Sequence, residues 1–273
     1  MKENRIKNPS ERRRLLVAAC AIAFAAAAVG LAIAYNRLRD LWLEQCVITD
    51  VASQVSITDG KMVRADVIAY EFGLKNGANL ALVDFDAKRR ETLKKIPNIR
   101  EISIARHLPD KVSITVEERI PVVRLGVKGQ KTDNGRVADT DGVVFISSNG
   151  TQTLPLVREA AAPGTPKGQR LSGRALAALR LLETCRDRFR EFAAIEADVS
   201  KPDYITVVLG NDYSTAKIAW DGMDDPADST MPNLVKRLEA LSKAYVSHID
   251  EGIRVWDATQ PGKIYGNTQK GFL

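Results

Sequence analysis

The chain has 273 residues, enough for two domains that each bury a core without disulfide or metal staples. Apolar residues make up 45% and charged residues 27%, an ordinary globular balance that excludes wholesale disorder. Residues 1–35 hold six of the 40 Lys and Arg but two of the 34 acids, so the rest is near charge balance, without the basic cluster a nucleic-acid reader needs.

From Leu15 to Tyr35 there is no charged residue. At ~1.5 Å per residue this run reaches roughly 31 Å, the thickness of a bilayer's hydrocarbon core, and predicts one transmembrane helix over 15–35. The spacing Ala26, Gly30, Ala34 puts small residues on one face, where a partner helix could approach closely. Lys2, Arg5, Lys7, Arg12, Arg13 and Arg14 precede the span and only Arg37 and Arg39 closely follow it. The positive-inside rule therefore puts segment 1–14 in the cytoplasm and everything beyond Asn36 outside. A cleaved signal peptide is the alternative, since Ala32-Ile33-Ala34 has the A-x-A form, but the apolar run is longer than a signal peptide's usual apolar core.

Beyond the span, Val47 to Thr58 alternates as a strand and Asp59-Gly60 supplies a turn. Ile68 and Phe72 mark a short helix ending at Gly73 and the Asn76-Gly77 turn. Asn79 to Asp84 reads as extended, Asp86 as the cap of a helix carrying Leu93 and Ile96, and Pro97 as its end. Ile99, Ile102, Ile104 and Val112, Ile114, Val116 form two alternating runs about Leu108-Pro109-Asp110-Lys111, an antiparallel hairpin. This β-α-α-β-β order predicts a compact α+β domain over 45–121.

Residues 122–267 read as a mixed β-rich domain with two helices, followed by a short segment 268–273. Short strands fall at 122–127, 136–139, 143–146 and 154–157, parted by the hairpin dipeptides Asn134-Gly135, Asp141-Gly142 and Asn149-Gly150. After a loop over 158–171, Leu176, Leu179, Leu182, Cys185 and Phe189 mark a helix. Strands at 195–199, 204–209 and 216–220 come next. Thr230 caps and Pro232 opens a last helix with Leu234, Leu238, Leu241 and Tyr245 on one stripe, and extended runs at 253–258 and 263–265 close the domain.

The chemistry of catalysis is sparse. His107 and His248 are the two histidines, 141 positions apart, which disfavours a histidine metal site or a Ser-His-Asp relay. Asp139-Thr140-Asp141-Gly142 lacks the further acids of a calcium loop and reads as a turn. Glu117-Glu118 read as solvated strand-end residues, because strand neighbours point to opposite faces. Cys20, Cys46 and Cys185 follow no metal or redox spacing, though Cys46 could bridge two molecules. No phosphate-cradling loop or nucleophile elbow occurs, so no cofactor, metal or small-molecule substrate is expected.

The run NLALVDFDAKRRETLKKIPNIREISIARHLPDKVSITVEERIPVVRL resembles the POTRA domain of the FtsQ/DivIB cell-division family. The resemblance rests on Gly77, Asn79, Leu82, Asp84, Leu93, Pro97, Ile99, Pro109, Val116, Glu118, Arg119 and Pro121. Val137 to Phe145 and Leu154-Pro155 also look like that family's β domain. His107, the insert Lys128 to Gly135 and the divergent last strands depart from it. The resemblance implies a non-enzymatic scaffold of the division septum in the inner membrane. It implies a C-terminal domain that binds an FtsB/FtsL-type coiled-coil pair, with effects on septal peptidoglycan synthesis. The implied binding mode is addition of a strand to the last strands' edge, at Arg254, Trp256, Ala258, Ile264 and Tyr265. Alternatively Trp256 and Tyr265 pack over the final helix. A POTRA-bearing envelope chaperone or secretion component would call for repeated POTRA units or an outer-membrane barrel, and an envelope hydrolase for clustered acids; neither pattern is seen in the sequence.

Overall fold

In the computed structural model of the protein the described residues are 9–58, 60–127, 129, 134–147, 150–160 and 164–268. Lys2, Arg5, Lys7, Asp59, Asn149 and most of the Lys128 to Gly135 insert and the 268–273 segment lie outside them.

Helix α1 (Pro9–Gln45) contains a stretch, Leu16–Gln45, long and apolar enough to cross a membrane. The helix continues ten residues past Tyr35 because Asn36 to Gln45 contains neither Gly nor Pro. Its last carbonyls do not end in open solvent. Leu43 O accepts from Cys46 N–H at 3.1 Å and from the Asn79 side-chain amide at 2.8 Å, and Cys46 Sγ–H donates to Trp42 O at 3.3 Å. Leu80 N–H then donates to Cys46 O at 2.8 Å, so the chain passes from helix to folded domain within one residue.

The chain divides into two compact units. The first comprises Met1–Thr58, Ala65–Arg89 and Ser103–Thr115; the second comprises Asp59–Arg64, Arg90–Ile102 and Val116–Leu273.

In the first unit the expected strand from Val47 to Thr58 is shorter than its alternation suggests. Val47 bridges Asn79, a helical turn α2 (Val51–Gln54) intervenes, and only β1 (Val55–Ile57) is a strand. Polar side chains cause the break: Asp50 accepts from Ala52 N–H, while buried Gln54 folds back and its Oε1 accepts from the N–H groups of Thr49 and Asp50 at 2.7 and 2.9 Å. Helix α3 (Ala65–Phe72) buries Ile68 and Phe72 as expected, and Gly73 and Gly77 take positive φ after it. The segment after Asn79 is turned rather than extended, because Asn79 Oδ1 accepts from Ala81 N–H and Asn79 O from Leu82 N–H, leaving Leu82 exposed. Helix α4 (Phe85–Lys95) starts two residues earlier than expected, capped by Asp84 rather than Asp86, through Oδ1 to Ala87 N–H at 2.9 Å. Phe85 meets Phe72 ring to ring at 6.1 Å and carries the Arg106 guanidinium 4.5 Å above its face.

The expected hairpin is present as β2 (Ile99–His107) and β3 (Lys111–Glu118), and β1 pairs parallel to β3, giving the sheet order β1-β3-β2. Its closing residues do more than face solvent. Glu118 is not a merely solvated strand end: its carboxylate accepts from the N–H groups of Lys61, Met62 and Val63 at 3.1, 2.8 and 2.7 Å, which strand alternation alone does not reveal. Arg119 donates through Nε to Pro97 O at 3.0 Å and through Nη1 to Asp139 Oδ2 at 2.5 Å, with side chains 15% and 5% exposed.

The second unit holds a nine-stranded sheet ordered β12-β11-β10-β9-β8-β7-β4-β5-β6. Its strands are β4 (Val123–Val127), β5 (Arg136–Ala138), β6 (Val144–Ile146), β7 (Leu156–Glu159), β8 (Ala194–Asp198), β9 (Ile205–Leu209), β10 (Thr215–Ile218), β11 (Val255–Ala258) and β12 (Tyr265–Asn267). Parallel pairs β4–β7, β7–β8 and β10–β11 sit among antiparallel ones. Helix α5 (Gly173–Arg188) packs on β7 and β8, and α6 (Met231–Ser247) on β11 and α5. Their apolar stripes and the covered face of the sheet form one core. Thr230 stands at the start of α6, but its hydroxyl donates to Ala227 O instead of capping.

Cys46 and Cys185 are both buried. Burial pushes the Cys46 thiol up, with Asp110 adding to it, and the Cys185 thiol up to about 12, with Glu191 adding. Cys46 is therefore unavailable for the intermolecular bridge its sequence position allowed. In the full chain carrying Cys20→Ala, thiol reagent at pH 8 is expected to leave both cysteines unlabelled until denaturant is added; labelling at the free-thiol rate would contradict this burial. Arg119→Ala leaves the Asp139 carboxylate buried without its cation, and a loss of about 3–5 kcal/mol is expected in urea unfolding.

Candidate partner-binding edge

The two edges of the large sheet differ. At β6, Val144 N–H donates to Gln169 O at 2.9 Å, Gly168 N–H donates to Val144 O at 2.7 Å, and Val143 bridges Arg170. Asn98 Nδ2 donates to Ile146 O at 2.8 Å. Segment 168–171 and the Asn98 amide therefore occupy this edge.

At the other edge lies β12, antiparallel to β11, with Tyr265, Gly266 and Asn267 opposite Asp257, Trp256 and Val255. All three of its residues are exposed. Gly266 has a steric role: a Cβ there would stand 2.6 Å from Ile253 Cδ1, so glycine lets the edge strand close on its neighbour. Arg254 N–H donates to Asn267 O at 2.8 Å, and the Arg254 guanidinium reaches Asp212 O at 3.3 Å. A strand of this kind offers main-chain groups for pairing with another chain.

The five residues expected here separate by face. Trp256 is 2% exposed and Ala258 fully buried; both point into the core, where the Trp256 ring meets Tyr245 of α6 at 5.8 Å. They support the edge from beneath and present no side chain to a partner. The cause is the strand's period of two: Trp256 and Ala258 share the core face, while Val255 and Asp257 are half-buried on the other. Ile264 packs partly against the core, and Arg254 and Tyr265 are exposed. Packing over the last helix thus holds for Trp256 and does not hold for Tyr265. Burial pushes the Tyr245 hydroxyl up, Asp212 adds to this, and a hydrogen bond with Asn211 opposes it.

Ala26, Gly30 and Ala34 lie exposed along α1, with open space around Gly30. His107 is exposed at the end of β2, and exposed His248 meets Glu251 at 2.8 Å. Among the described residues no group of three or more His, Cys, Asp or Glu is arranged to hold a metal ion. Asp139 instead shapes its turn, its Oδ1 accepting from Val143 N–H at 2.8 Å while Oδ2 meets Arg119.

Trp256→Ala is expected to cost about 3–5 kcal/mol of stability, as for other large aromatic truncations in a core. Tyr265→Ala should change stability by less than about 0.5 kcal/mol. Urea midpoints of the two variants check the contrast, and equal losses would contradict the assignment of faces.

A family model for the POTRA domain of FtsQ type matches residues 52–119. No curated protein matches the chain significantly. The matched segment runs from α2 through the hairpin to Arg119, and it follows a helix long and apolar enough to cross a membrane. The chain thus carries an FtsQ-type POTRA domain, and this arrangement fits the FtsQ/DivIB cell-division family.

Proposed function

With an FtsQ-type POTRA domain following an apolar helix, we propose that the protein is a non-enzymatic, single-span scaffold of the cell-division machinery. Its N-terminus lies in the cytoplasm. Residues 45–121 form the POTRA domain and 122–267 a β domain outside the inner membrane, acting at the septum. The β domain holds an FtsB/FtsL-type coiled-coil pair and through it regulates septal peptidoglycan synthesis. Ala26, Gly30 and Ala34 offer the span a close-approach face for a neighbouring helix.

The observation that carries the reading is the asymmetry of the sheet. One edge is occupied by segment 168–171 and Asn98, while the other ends in three exposed residues. A partner strand laid along β12 would gain main-chain hydrogen bonds there, and Arg254 and Tyr265 would supply specificity beside it. Trp256 and Ala258 act from beneath, by holding β11 against α6 and the core.

Full-length chain used as bait in solubilised membranes should recover two small single-span coiled-coil proteins. Arg254→Glu combined with Tyr265→Lys should reduce that recovery at least tenfold while leaving the urea midpoint within experimental scatter. Undiminished recovery by the folded double variant would exclude the edge as the binding site.

A further inference from the structure

The end of α1 that emerges from the membrane has two unlike faces. Leu38, Leu41 and Trp42 are exposed, and with Tyr35 they fall within an arc of roughly 120° at 100° per residue. Arg37, Asp40 and Glu44 occupy the opposite side, and Leu43, half-buried, lies on the flank whose carbonyl Asn79 holds. The apolar arc is therefore turned away from the domain to which α1 is tied.

We propose that this arc is the outer half of a continuous seam for a second helix, one that crosses the same bilayer in the same direction and belongs to a different single-span protein. The first argument is periodicity. Phe24, Leu31 and Leu38 recur at intervals of seven; Ala28 and Tyr35 fall between them at alternate steps of four and three, and Trp42 follows Leu38 by four. That is the a/d pattern of a left-handed helix pair, and it runs from inside the apolar span to Trp42, beyond which Gln45 takes the next d position.

The second argument is length. Leu16–Gln45 covers 30 residues. At ~1.5 Å each it is roughly 45 Å long, against about 30 Å of hydrocarbon. With the hydrocarbon filled by Leu16 to Tyr35, Trp42 stands roughly 10 Å beyond it, farther than the ~5–7 Å of headgroups on one side. Lipid covers the inner half of the stripe and a soluble protein could cover the outer half. A helix crossing alongside covers both.

The third argument is charge. With Tyr35 and Trp42 at a and Leu38 at d, Arg39 occupies e, beside the seam. Between two copies of this chain in parallel, Arg39 would face the preceding g position, which is Ala34, and find no acid. Its contact with Asp40 is an exposed pair between sequence neighbours at 3.1 Å, which binds it weakly. The partner helix suited to this seam carries an acidic residue opposite Arg39, just outside the membrane.

The test uses the full chain in its native membranes, with a benzophenone amino acid placed singly at Leu38, Trp42, Asp40 or Glu44. Irradiated products are sequenced by mass spectrometry. Adducts from positions 38 and 42 are expected on the membrane-proximal helix of one single-span protein, at least tenfold above those from 40 and 44. Arg39→Glu should lower the yield from position 42 at least threefold, and reversing the acid found on the partner should restore it. Adducts only with lipid, adducts with a second copy of the chain, or equal yields from all four positions would each overturn the proposal. The readout is independent of the β12 edge, so Arg254→Glu with Tyr265→Lys should leave these adducts unchanged.

Discussion

Arg119, whose Nη1 stands 2.5 Å from Asp139 Oδ2, sets the order of much that follows it. A carboxylate as enclosed as Asp139 is tolerable only with a cation and further donors around it. Arg119 supplies the cation, and the N–H of Val143 bonds the other oxygen. The charge that fixes the end of the β2–β3 hairpin thereby also shapes the β5–β6 turn, and β6 leaves that turn paired with segment 168–171. Glu118, one residue earlier, gathers three N–H groups of residues 61–63. Two adjacent side chains of opposite charge thus organise the exit from the POTRA domain, each by satisfying groups that would otherwise be buried at a cost.

Most of the architecture was legible because burial on one face writes a period into the sequence. The alternation of Val112, Ile114 and Val116 and the stripe of Leu234, Leu238, Leu241 and Tyr245 reappear as buried residues of β3 and α6, whereas in β2 the buried Ile99 and Ile102 stand three apart and Ile104 is half-buried. The misreadings share a different physics. Val47 to Thr58 alternates well enough for a strand, yet Asp50 and Gln54 offer the backbone local hydrogen bonds that competed with it. Asp84 and Asp86 are equally plausible caps by composition, and the selection rests on where Phe85 must point to meet Phe72. The second choice depends on a tertiary neighbour that no local pattern contains.

Of the candidate edge, the sequence made the extended final segment legible, and it forms β11 and β12. The faces of its two aromatic residues, Trp256 and Tyr265, were not legible. Which face each aromatic takes depends on the register of β11 against β10 and β12, and register is set by pairing rather than by composition. Trp256 consequently serves the core and Tyr265 the surface. Glu118 shows the same limit for charge, since a strand-end carboxylate and one that collects three amides have the same sequence signature.

Asn79 ties the end of α1 into the first unit without slack. A domain hung on a flexible tether samples every bearing about its membrane anchor, and the anchor's rotation is then of no consequence. Here α1 and the rest of its unit are joined directly, so a membrane that fixed the rotational phase of α1 would also fix the direction in which that unit looks. Each helical residue turns the phase by about 100°. Adding or removing one residue between Tyr35 and Cys46 would therefore turn that direction by about 100°, whereas a change of three or four residues would nearly restore it.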